Sequence, residues 1–188
     1  MRRDIGALAL AVALVALAAP PAGASMVRKM DLSDLAERAD RIFRGTVLSV
    51  EEGSVAAGGG VLPTVVYRLQ VDEAFKGDYA ATKGVAEITM LGSLKPEAPN
   101  GSVARLSRLP ELPNLVRGGE YVLFTTPPSP VGLSTTVGLG QGAFKVYLSP
   151  DREEMAVNEL NNAGLAEGID GPVAYSELAG AIREEVAP

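Results

Sequence analysis

The side chains best able to do chemistry in this chain are carboxylates, because the sequence contains no histidine and no cysteine. Ser-His-Asp triads and Cys-His pairs need an imidazole or a thiol, so these nucleophilic sites are excluded. Zinc sites built on imidazole or thiolate ligands are excluded for the same reason. Carboxylates, lysine and tyrosine remain as the groups that could act as acid or base.

The acids form two clusters. One is Glu51-Glu52, and the other comprises Asp151, Glu153 and Glu154. Paired carboxylates can hydrolyse glycosides or bind calcium. However, neighbouring side chains on a strand point to opposite faces, and an acid-rich turn is usually a solvated surface. We therefore expect a protein that is not an enzyme and that uses neither a metal nor another cofactor.

The glycine-rich segments do not match phosphate-binding motifs. Gly58-Gly59-Gly60 lacks the Lys and Ser/Thr that follow the glycines of a phosphate loop. Gly138-Leu139-Gly140 lies between two predicted strands rather than before a helix, unlike a dinucleotide-binding turn. The basic residues of the 93–119 region have no aromatic residues beside them, and the chain has a net charge of −6. Nucleic acid is therefore not an expected partner.

The amino-terminal residues have the layout of a secretory signal peptide. Arg2 and Arg3 precede an apolar run from Ile5 to Ala19, which is shorter than the roughly 20 residues of a spanning helix. Small residues follow, and the predicted cleavage site lies after Ala24. We expect residues 1–24 to be removed, leaving an exported protein, periplasmic or extracellular, with no stable membrane anchor.

The clearest element is a long strand at Thr64–Lys76, because polar and apolar residues alternate along it. The polar face is expected to meet solvent. Glu73 is the one exception on the apolar face. That face otherwise consists of Val65, Tyr67, Leu69, Val71 and Phe75.

The remaining pattern predicts short helices near both ends and several more strands. The helices are expected at 31–40, with Asp31 as the cap, and at 175–186. A flexible hairpin connection is expected at 53–63, a long irregular connection at 93–119 and a linker at 161–172. The other strands are expected at 41–52, 85–91, 120–126, 133–139 and 143–148, with 153–158 as a hairpin partner for the last.

Three stretches, ADRIFRGTVLSVEE, YRLQVDEAFKGD and GGEYVLF, give the chain a family resemblance. It resembles the netrin/TIMP-like branch of the OB fold, which includes the tissue inhibitors of metalloproteinases. It is also similar to uncharacterised exported bacterial proteins that share the Gly140-Gln141-Gly142 turn. The resemblance implies a mainly β protein: a five-stranded OB-type closed barrel with an extra C-terminal hairpin and a short helix at each end. The barrel domain would span residues 25–160, and residues 161–188 would form a linker and a helix packed on it.

The resemblance also bears on function. These inhibitors place their first residue, a disulfide-bonded cysteine, over the zinc of the protease, whereas this chain has no cysteine. A secreted peptidase is therefore implied as a partner only by analogy of fold. We expect a non-enzymatic protein-binding module. The residues expected to meet its protein partner are Ser25, Met26 and Val27 at the new amino terminus, and Val61 and Leu62 in the 53–63 connection.

A second hypothesis is a structural component of the envelope or extracellular matrix that associates with itself. In that case the 93–119 connection would be its contact surface. The sequence leaves the oligomeric state open.

Overall fold

The computed structural model describes residues 28–79, 82–94, 112–167 and 169–187. Within these ranges the protein is mainly β, with seven strands in one antiparallel sheet and two α-helices. We number the elements in chain order. The α-helices are α1 (Leu32–Arg38) and α2 (Tyr175–Glu185), a 3₁₀ helix covers Leu139–Gly142, and the strands are β1 (Arg41–Ala57), β2 (Gly60–Lys76), β3 (Val85–Leu91), β4 (Glu120–Thr125), β5 (Ala143–Leu148), β6 (Glu154–Val157) and β7 (Val173–Ala174).

The strands are ordered β3-β2-β1-β4-β5-β6-β7 across the sheet. At its centre lies the hairpin of β1 and β2, each 17 residues long. The predicted strand at Thr64–Lys76 is the second part of β2, so that prediction is confirmed. The ladder between β1 and β2 shifts register at three places, including one between Arg44 and Gly45. Such shifts bend and twist a sheet.

The predicted closed OB-type barrel is wrong, because the sheet does not close on itself. The expected strand at 133–139 forms one isolated bridge, from Thr136 to Thr125, and Ser134 N donates to Thr89 O at 2.9 Å. These contacts do not make a ladder. Instead β4 pairs with β5, and the sheet continues outward through β6 and β7. The expected C-terminal hairpin is thus part of the sheet rather than an addition to a barrel.

Both expected helices are present, and side chains of the sequence account for the ends of α1. The carboxylate of Asp31 accepts a hydrogen bond from Asp34 N at 2.8 Å and caps α1. The ammonium of Lys76 donates to Ala36 O at 3.1 Å and to Ala39 O at 2.6 Å. A cation at the carboxyl end of a helix also meets the negative end of its dipole. None of the helices in the described residues is long and apolar enough to cross a membrane.

The sheet has an apolar core on each face. One core lies under the two helices, which bury Leu35 and Ile182 against Ile42 and neighbouring residues of the sheet. The other lies on the opposite face. Strand β4 contributes to both, as expected for a strand apolar on both faces. The second core includes Phe43, Tyr67, Leu69, Ile88, Leu115, Tyr121 and Leu123.

The 53–63 connection is a hairpin, as predicted, but the expected flexible loop is wrong, since most of the segment forms strands. Gly58 and Gly59, with φ angles of 61° and 79°, make a two-residue turn in which both residues are left-handed. Glycine adopts this conformation without a steric cost, so the glycines fix the turn instead of loosening it. Strand β3 pairs with β2 only from Thr64 to Gln70. We call residues 54–63, which lie beyond that pairing, the hairpin arm.

Candidate functional site

The hairpin arm carries two of the five residues that the sequence analysis selected. Val61 lies opposite Ala56, and its residue surface is 71% exposed, the largest fraction among the exposed large apolar residues described. Leu62 lies opposite Val55, and both are half-buried. The exposed apolar surface of the arm is thus concentrated at Val61. The other three, Ser25, Met26 and Val27, lie outside the described residues.

The arm has no charged side chain. Its residues are serine, valine, alanine, glycine, leucine and proline. Charged side chains begin at its base with Glu52 and Glu51; Glu51 pairs with Arg68 at 3.7 Å and Arg68 with Glu87 at 3.0 Å. The side chains of Glu51, Arg68 and Glu87 are about half exposed, so salt and water screen these pairs. The arm can therefore offer a partner apolar contacts and backbone hydrogen bonds, but no ion pair.

A second cluster, which the sequence analysis missed, centres on the Arg44 guanidinium. It binds Glu120 at 3.0 Å and Glu154 at 2.6 Å, and its central carbon lies 4.2 Å from the centre of the Tyr175 ring. The Arg44 side chain is 14% exposed. These contacts join β1, β4, β6 and α2 on the face that carries the helices.

Glu73 extends this cluster from the sheet to α2. The Tyr175 hydroxyl donates to the Glu73 carboxylate at 2.5 Å, and the Arg183 guanidinium donates to it as well. Arg183 also lies over the Phe75 ring, 5.5 Å from its centre. Glu73 was the exception on the apolar face of the long strand. That exception was the available signal, but the sequence did not reveal its partners more than a hundred residues away.

Each carboxylate of this cluster is paired with an arginine: Glu120 and Glu154 with Arg44, and Glu73 with Arg183. Burial would raise the pKa of Glu73, but the hydrogen bonds from Tyr175 and Arg183 outweigh it and lower that pKa. The hydrogen bond from Arg44 lowers the pKa of Glu154. Burial and the hydrogen bond to Glu73 raise the pKa of Tyr175 to about 12. At neutral pH these carboxylates are ionised and the phenol is protonated, an arrangement that holds α2 on the sheet.

The two acid clusters singled out in the sequence do not become catalytic pairs. Glu51 pairs with Arg68, whereas Glu52 accepts hydrogen bonds from Ser93 Oγ at 3.1 Å and Leu94 N at 3.2 Å. In the second cluster, Glu154 binds Arg44, while Asp151 and Glu153 are exposed. The part of the chain that the structure describes holds no group of three or more acids placed to bind a metal ion.

Comparison of the chain with protein-family models, curated proteins and solved structures found no match.

Proposed function

We propose that this chain is an exported, non-enzymatic protein-binding module that contacts its partner through the hairpin arm. The observation that carries the proposal is the extension of β1 and β2 beyond the sheet. Four residue pairs, from Ser54–Pro63 to Ala57–Gly60, lie past the last residue of β2 that pairs with β3. At a rise of about 3.3 Å per residue, the arm reaches roughly 13 Å past the sheet.

The energetics of the arm support a role in binding. A two-stranded ribbon is at best marginally stable in water, and a strongly exposed valine gains little from folding. Val61 nevertheless lies near the tip of this ribbon. An ordered projection with exposed apolar surface and no charged side chain has the composition of the centre of a protein interface, where charged residues are depleted. By contrast, the Arg44 cluster is satisfied by groups of the same chain and is best explained as a structural contact.

A secreted peptidase is the partner that the resemblance implies. The chain has no amino-terminal cysteine to place over the zinc of the enzyme. It would therefore contact such an enzyme through the arm. The test is inhibition of a panel of secreted metallopeptidases by purified residues 25–188. No inhibition at micromolar excess, together with no capture of any peptidase, would exclude this partner.

The binding proposal itself is tested by comparing two exposed apolar residues. Val61→Ser changes the arm, and Leu148→Ser changes a residue of similar exposure, 65%, at the far end of β5. Cross-linking capture from the exported fraction, quantified by mass spectrometry, should lose its partner with Val61→Ser and keep it with Leu148→Ser. Equal capture by both variants would contradict the proposal.

Self-association is the second candidate, and the open sheet favours it. A closed barrel has no edge strands, whereas this sheet leaves edges that another copy could pair with. Sedimentation equilibrium over a range of concentrations separates the two proposals. Self-association predicts a mass that rises with concentration, and a monomer at all concentrations would contradict it.

A further inference from the structure

We propose that the arm takes an extended polypeptide segment of its partner as an added strand, paired with the outer edge of β1 at Ser54 and Ala56. The segment would carry large apolar side chains at alternate positions. This inference rests on the proposed function, since it names the kind of partner that the arm would bind.

The backbone N–H and C=O groups of β1 within the arm point alternately toward β2 and outward. Ala57 and Gly60 flank the Gly58-Gly59 turn and lie opposite each other in the ladder. In a hairpin with a two-residue turn, the flanking residues exchange both backbone hydrogen bonds, and the bonding direction alternates along each strand. The N–H and C=O groups of Ala57 therefore face β2, whereas those of Ala56 face outward.

The same alternation continues along the arm. Val55 turns its backbone groups toward Leu62, and Ser54 turns its groups outward. The outer edge thus presents donors and acceptors at every second residue, which is what an added strand requires.

No described strand pairs with the outer edge of β1 at residues 54–57. On that side of β1, β4 pairs with Arg41–Thr46, and the backbone of Val47 exchanges hydrogen bonds with Gly118 and Gly119. No described element pairs with residues 54–57 on this side. Proteins usually protect an exposed edge with proline or lysine, and Ser54–Ala57 contains neither.

The side chains along this outer edge are small. Ser54 and Ala56 are small and exposed, and Val61 lies beside Ala56 on the same face. Side chains on neighbouring strands lie about 4.5–5.5 Å apart at Cβ, so small residues leave room for a large residue opposite them. An aromatic side chain would cover Ala56 and extend toward Val61, which lies one strand further away.

The small side chains of the edge also favour a segment of another protein over a second copy of this chain. In a symmetric pair of arms, serine and alanine would meet serine and alanine, and Val61 of both copies would stay exposed. A strand with large side chains buries more apolar surface, while the loss of backbone conformational entropy is the same.

The probe for this inference is an acetylated and amidated peptide, Thr-Tyr-Thr-Val-Thr-Tyr-Lys, added at millimolar concentration to the full chain. Amide hydrogen exchange measured by NMR reports each backbone group separately. We expect the exchange of Ser54 and Ala56 to slow by at least about tenfold, because their amides acquire acceptors. The exchange of Val55 and Ala57 should change little, since their amides already face β2. No change at Ser54 and Ala56 would overturn the inference.

Two substitutions at one position provide the matched control. Ala56→Pro removes the outward N–H and leaves the ladder to Val61 intact, because proline is tolerated where the N–H faces away from the sheet. Ala56→Val keeps the N–H. We expect Ala56→Pro to weaken peptide binding by at least about tenfold and Ala56→Val to retain it. Equal weakening by both variants would overturn strand addition.

The outcomes distinguish this inference from the proposed function. If Val61→Ser abolishes partner capture but the peptide protects neither outward amide, the arm binds a protein in another way and the inference fails. If the peptide protects both amides while Val61→Ser captures the partner normally, the edge site stands and the proposed function fails.

Discussion

Glu73 is one of the sheet residues that hold α2 in place. Its carboxylate accepts hydrogen bonds from Tyr175 and Arg183, and the Tyr175 ring in turn supports the Arg44 guanidinium. Hydrogen bonds to an ionised group are about twice as strong as neutral ones. The cluster therefore adds directional contacts to the apolar packing under α2, and its members should respond separately to substitution.

Tyr175→Phe isolates the hydroxyl of this cluster. The substitution keeps the ring under Arg44 and removes the donor to Glu73. We expect the free energy of unfolding to fall by about 1–2 kcal/mol, because the lost bond involves a charged acceptor that Arg183 still partly compensates. Urea denaturation measures this change. A Tyr175→Phe protein as stable as the parent would show that the hydroxyl contributes nothing to holding α2.

Acid should weaken the same contact. Because the folded-state pKa of Glu73 is lowered, its contribution to stability is complete above the unfolded-state pKa and is lost as the pH falls through the folded-state pKa. Glu154 acts in the same direction. We expect stability to fall from about pH 5 downward, and the fall to be shallower in Glu73→Gln. Urea midpoints measured between neutral and acid pH provide the comparison, and parallel curves for the two proteins would contradict the assignment.

At the scale of elements, the arm is ordered because its turn is built for glycine. Gly58 and Gly59 both have positive φ, and no other atom lies near the position where a Cβ would stand. The constraint at these positions is thus conformational rather than steric crowding. Asn-Gly suits such a turn, whereas a β-branched residue does not.

This conformational constraint gives a paired prediction. Gly59→Val should fray the arm and speed the amide exchange of Ala57 by about tenfold or more, since a β-branched residue resists positive φ. Gly58→Asn should leave that exchange unchanged or slow it. The same NMR exchange measurement serves both variants, and identical rates in the two would refute the assigned turn.

The sequence predicted most elements but not all of their roles. The alternation in β2, the cap at Asp31 and the apolar β4 follow from local patterns, and the structure confirms them. The glycines of the arm were misread because glycine composition indicates flexibility unless the turn conformation is known. The 133–139 segment alternates like a strand, but it meets β3 and β4 through single backbone hydrogen bonds, Ser134 N to Thr89 O and Val137 N to Phe124 O, rather than through a ladder.

At the scale of the whole molecule, the error lay in strand pairing. The 133–139 segment contacts β3 and β4 without forming a ladder to either, and β4 pairs with β5 over Glu120–Leu123. Pairing between distant strands depends on which ladders compete, and local alternation does not report that competition. The Arg44 cluster could not be predicted from the sequence for the same reason, because Glu120 and Glu154 contact Arg44 from separate strands. Within the described residues, no strand pairs with the outer edge of the arm in the open sheet.

The most direct test of the account removes the arm without disturbing the sheet. Deleting residues 54–57 and 60–63 joins Gly53 and Thr64 through the Gly58-Gly59 turn. Because four residues leave each strand, every remaining side chain keeps its face and Gly53 and Thr64 become the flanking pair. Cross-linking capture by this shortened chain should fall by at least about tenfold with unchanged thermal stability. If the shortened chain captures as much partner as the chain with the complete arm, the claim that the arm binds the partner is contradicted.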